Sequence, residues 1–179
     1  MLILLSDILF ICFDCLLYLI QGLLVDMTLE FQILVPVIVA FIERLIHCHK
    51  HQWLGERFLQ IVDENLLPKL KKKNLLTAYF PLFHRIAEND TIPPSRLIEL
   101  LTKFVISLVE KRGLDVGLKL WDQGTEVLGI CRTLMSHHKS SRLFLGLSRL
   151  LSLTCLYFPD LEVRDNARYD HDTHVNESF

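Results

Sequence analysis

The chain has 179 residues, long enough to bury one substantial core, and 51 % of them are hydrophobic, above the usual content of a soluble globular domain. Its formal charge of −2 is spread in mixed signs, so it lacks the basic footprint of a nucleic-acid partner. Five cysteines, an odd number, lie mostly among leucines, and Cys12, Cys15, Cys131 and Cys155 read as small buried hydrophobes rather than a disulfide framework.

That cysteine usage points to a reducing, cytosolic compartment. On the same ground the glycosylation-like triplets Asn89-Asp90-Thr91 and Asn176-Glu177-Ser178 are read as chance matches.

Met1 to Val25 is nearly all Leu, Ile, Phe and Cys and has the length of a membrane span. Asp7, Asp14 and Gln21 recur every seven residues and so line one side of a helix, as in a packed helix with a polar seam. A central Asp costs about 2.5–3.5 kcal/mol on insertion, while each large apolar residue returns roughly 0.3–0.6. The favoured reading is a buried helix over about residues 4–24, and a transmembrane span over residues 1–25 is the competing one. No Lys or Arg precedes the run, and no convincing small-residue cleavage site follows it, so no signal peptide is expected.

Helices follow at about 28–47, 53–72, 74–88, 95–112, 115–137, 141–157 and 160–168, making about eight, with no competing strand period. Pro36, Pro68 and Pro81 fall inside apolar-periodic segments and are expected to kink or split them. His47 and His51 share a helical face around Cys48 and invite a zinc reading, but no third ligand is evident. The preferred reading is a solvated, helix-terminal cluster that also includes His49. Lys69 to Lys73 is the single basic run, read as a solvated helix end with peripheral membrane contact as the minor alternative.

Asp90, Thr91 and two prolines mark the clearest boundary before Ser95 caps the next helix. Gly113, Gly117, Gly124 and Gly129 are too dispersed for a phosphate loop and are read as allowing a turn and close helix approach. Cys12-x-x-Cys15 has redox spacing without the flanks or cation that would lower a thiol pKa. Nucleophile–base pairs and cleft carboxylates are not legible either, so no enzyme activity, catalytic residue, cofactor or metal is predicted.

After the leucine-rich 141–157 helix comes Phe158-Pro159-Asp160-Leu161-Glu162-Val163-Arg164-Asp165-Asn166-Ala167-Arg168. Pro159 and Asp160 suit a helix start, Val163 and Ala167 lie four apart toward a neighbouring repeat, and Arg164 and Asp165 take the polar edge between repeats. Pro159, Asp160, Val163, Arg164 and Ala167 thus form the structural repeat motif of one HEAT-like unit. The predicted fold is an all-α, HEAT- or armadillo-like solenoid of helical hairpins over residues 1–168, with residues 169–179 a polar disordered tail.

The stretches Leu114 to Cys131 and Leu150 to Arg168 resemble the plant form of the beta subunit of adaptor-protein complex 5, and the resemblance extends from about Asp26 to Arg168. Family members are much longer, so the chain is expected to be an internal or late solenoid piece. The family pattern would continue past Tyr169 as an apolar helix where this chain turns polar. The resemblance implies a non-enzymatic scaffold in vesicle-mediated, endosomal protein transport. Its partners would be the other adaptor-complex subunits, with no small-molecule substrate and a cytoplasmic location peripheral to endosomal membranes.

Overall fold

The computed structural model describes residues 19–70, 73–110, 117–138 and 141–176. Among them the chain forms eight α-helices and no strand: α1 (Leu19–Glu30), α2 (Val35–His47), α3 (Gln52–Ile61), α4 (Phe80–Glu88), α5 (Ser95–Glu110), α6 (Gly117–His137), α7 (Ser141–Tyr157) and α8 (Leu161–Asn176). These stack in two layers. In one, α2 packs on α4, α4 on α6 and α6 on α8; in the other, the segment after α3 packs on α5 and α5 on α7. The architecture is an all-α solenoid of helical hairpins.

Each of the three prolines splits a segment rather than bending it, because its ring cannot follow the carbonyl four residues back. Pro36 stands in the first turn of α2, so the helix breaks upstream at Phe31 and passes through a 3₁₀ turn, Gln32–Leu34. The long helix expected over 53–72 ends at Ile61, because Pro68 displaces the ladder into a π turn, Val62–Leu66, and a 3₁₀ turn, Leu67–Lys69. Pro81 likewise opens α4 after the 3₁₀ segment Lys73–Tyr79.

Apolar spacing decides which faces meet. Leu97, Ile98, Leu101, Phe104, Val105 and Leu108 are buried along α5, as their helical period requires. The centre is aromatic: Phe80 meets Phe104 edge-on at 5.7 Å, and Tyr79 stacks on Phe83 at 6.4 Å. The Tyr79 hydroxyl donates to the Thr28 carbonyl at 2.9 Å, which ties α1 to the core.

Gln21, Leu24, Val25 and Thr28 of α1 surround a narrow void with Ile38 and Ile42 of α2 and with Phe58, Ile61 and Val62. Gln21 is buried, and Thr28, one further step of seven along α1, is buried as well. Asp7, Asp14, Cys12 and Cys15 lie outside the described residues.

The polar tail expected from Tyr169 is a correction. The chain is helical through Asn176, because Val163, Ala167 and Asp170 fall on one inward side of α8 and give its polar sequence something to pack with.

Candidate docking faces and repeat interfaces

The motif at the α7–α8 turn is built around a cap. The Asp160 carboxylate accepts the Val163 backbone N–H at 3.0 Å, satisfying one of the open donors at the start of α8. Val163 and Ala167 are fully buried, Phe158 is almost so, and Pro159 is exposed. Opposite them is Gly124 of α6, where a Cβ would stand 2.7 Å from Val163 Cγ1 and 2.8 Å from Phe158 Cζ. Gly124 therefore lets α6 and α8 approach. Arg164 is half-buried, and Asp165 is exposed and near Arg168.

Polar rungs link alternate helices. Glu43 of α2 pairs with Arg85 of α4; His84 of α4 meets Glu126 of α6 at 3.4 Å; Arg132 of α6 donates from Nε to both carboxylate oxygens of Asp170 in α8 at 2.9 and 3.0 Å. His84 and Glu126 are 42 residues apart and Arg132 and Asp170 are 38 apart, the repeat length of stacked helical hairpins. In the other layer Arg96 of α5 donates to Asp63 at 2.5 Å, and Lys69 lies 3.8 Å from Asp26.

The exposed pairs contribute little to stability, whereas the two nearly buried aspartates bind the stack directly. Burial raises the Asp63 carboxyl above the usual aspartate range, and the Arg96 guanidinium opposes this.

The candidate chemistry is dispersed by the same fold. His47, His49 and His51 are exposed, and among the described residues no three His, Cys, Asp or Glu side chains gather in a metal-binding group. His47 and His137 end α2 and α6 with the same local contact, ring Nδ1 to the carbonyl four residues back, at 2.8 and 2.9 Å. His138, the next residue, is buried, with Nε2 donating to the Ala87 carbonyl at 3.0 Å, and desolvation lowers its pKa. Burial, reinforced by Asp170, pushes the Cys131 thiol up to about 12, so it is a packing group.

Sequence reading missed the rungs; an acidic side chain at a core-facing helical position was the only signal for Asp63 and Asp170.

Among the described residues, exposed apolar surface concentrates at the first hairpin. Leu19, Leu23 and Met27 of α1, spaced by four, are exposed, as are Ile33, Val37 and Phe41 leading into and along α2. This outward stripe lies opposite the buried seam of α1, a distribution that leaves apolar surface for a partner.

The family model described as AP5B1, middle domain, matches residues 6–171. The chain belongs to that family. No curated protein and no solved structure matches it. The AP5B1 match runs beyond the resembling stretches at both ends, taking in most of the N-terminal apolar run and α8 as far as His171. Membership makes this an adaptor-complex subunit domain, a class that works through protein–protein contact. Among the described residues no single helix is long and apolar enough to cross a membrane; α1 with the Gln32–His47 segment passes only as a pair bent by 115°.

Proposed function

We propose that the chain is a non-enzymatic scaffold segment of an adaptor-complex large subunit in vesicle-mediated, endosomal protein transport. It would act at the cytoplasmic surface of endosomal membranes by docking against the other subunits. The observation that carries this is the AP5B1 match over residues 6–171 on a chain built as a stack of helical hairpins. The HEAT-like reading of Pro159, Asp160, Val163, Arg164 and Ala167 belongs to the same proposal, supported by the Asp160 cap and the buried Val163 and Ala167.

The competing reading, an anchor over residues 1–25, gains little. The family match begins at residue 6, inside that run, and α1 turns Gln21 and Thr28 toward its neighbours. Affinity purification of the tagged chain with mass spectrometry tests the proposal: co-purification of other adaptor-complex subunits is expected. Their absence, with the chain resisting alkaline extraction from membranes, would overturn it in favour of the anchor.

A further inference from the structure

A groove of about 780 Å³ runs along the outer seam where α5 packs on α7, within the size range of ligand-holding clefts. Ile92, Ile98 and Leu143 form its buried apolar floor, and Ile106 of α5 and Leu153 of α7 are the apolar side chains that reach its opening. Gly146 leaves bare backbone in the α7 wall where Ile98 comes in; a Cβ there would stand 3.3 Å from Ile98 Cγ2.

The groove's charge is uneven. Glu99 and Lys103 line it but bind each other at 2.5 Å. Arg149 is exposed and has no carboxylate partner among the described residues, and Asp90, in the loop before α5, forms no ion pair with a Lys or Arg among them but lies near the His138 ring, which also lines the groove. The span from Ser95 to Ile106 along α5 is about 16 Å, three turns of a docked helix.

We propose that this groove receives an amphipathic helical segment of a partner protein, apolar on its buried face, with its N-terminal end toward Asp90 and a carboxylate side chain against Arg149. A helix is the conformation that fits, because both walls are helices whose backbone groups are already bonded. An extended peptide would find no sheet edge for its own N–H and C=O groups. Asp90 complements the positive end of a helix, and Arg149 supplies a cation that no carboxylate among the described residues neutralises.

The proposal rests on the reading of the chain as a protein-binding scaffold. The probe is a fluorescein-labelled helical peptide of about 14 residues with leucines at i, i+3, i+4 and i+7 and two glutamates in its middle turn, level with Arg149. A twin carries lysines in place of the glutamates. Fluorescence anisotropy with the full chain is expected to show saturable binding, about fivefold tighter for the glutamate peptide. Arg149→Glu, at an exposed position without an ion-pair partner, should keep the melting temperature and reverse the preference. Ile106→Glu should abolish binding of both peptides.

Equal affinity for the two peptides, no effect of Arg149→Glu, or binding of anionic vesicles but of neither peptide would overturn the groove assignment. Loss of the groove result with adaptor subunits still co-purifying would sink this inference alone; failure of both would sink the scaffold reading as well.

Discussion

The first and last helical segments of the stack end in opposite ways. At the α1–α2 end, the apolar residues Leu19, Leu23, Ile33 and Val37 face outward, each more than 60 % exposed, while Gln21 and Thr28 face in. At the α8 end, Val163, Ala167 and Asp170 are buried, whereas Glu162, Asp165, Arg168 and Asp172 are exposed, with Leu161 and Tyr169 the large apolar exceptions. Repeat stacks need a polar outer face where they meet water. α8 carries that pattern and α1 does not. The difference separates holding the fold together, which the α6–α8 contact does, from leaving apolar side chains exposed among the described residues, as the first hairpin does.

If the α8 end is structural in this sense, breaking it should be costly. Val163→Asp places a charge against Phe158 and Gly124 with no partner, and a loss of about 3–5 kcal/mol is expected in chemical denaturation. An unchanged melting temperature would mean that α8 is not packed as described. The Arg132–Asp170 rung allows a finer test because its two members are buried unequally, with side chains 48 % and 5 % exposed. Arg132→Ala strands a buried carboxylate and should cost about 2 kcal/mol, while Asp170→Ala leaves a guanidinium that water can reach and should cost about 1 kcal/mol. Equal losses would deny that burial of Asp170 is what makes the rung matter.

How much of this was legible follows from which forces act locally. The helix-forming apolar periods of α5 and α7, the Asp160 cap and the helix-splitting prolines are short-range effects, and the sequence carries them. The extent of α8 was not legible, since its period is set by one valine, one alanine and an aspartate whose burial depends on Arg132, 38 residues away. Gly124 was read as a close-approach glycine, but its partners Val163 and Phe158 come from a different hairpin. The same applies to the groove: α5 and α7 are each readable alone, but nothing in either shows that Arg149 will line one groove with Ile98 and Thr102 while Glu99 there is taken by Lys103.

Between these two ends, His138 couples the α4–α6 contact to pH. Its ring is buried at the end of α6 and bonded to the Ala87 carbonyl, and burial lowers its pKa below the ordinary 6.5 despite Asp90 nearby. The unfolded chain therefore takes up a proton at a pH where the folded chain does not. Stability from this group is full above about 6.5 and is lost as pH falls from there toward the lower folded value. Denaturation midpoints should drop on acidification through that window, and His138→Asn should flatten the slope. A slope of the opposite sign would show that Asp90 holds the ring protonated in the fold.

The smallest stability effect is expected at the other end, and its smallness is the point. Leu23→Lys with Val37→Lys puts two charges on a surface already 61 % and 64 % exposed at those residues, so stability should change by no more than about 0.5 kcal/mol. Self-association, followed by light scattering, should decrease, because the contiguous apolar stripe is interrupted. A fall in melting temperature like that of Val163→Asp would mean that the face is covered within the folded chain. An unchanged melting temperature with reduced association would leave the outward faces of α1 and α2 as apolar surface that the fold does not need, which is the property a docking segment has and a tightly packed one lacks.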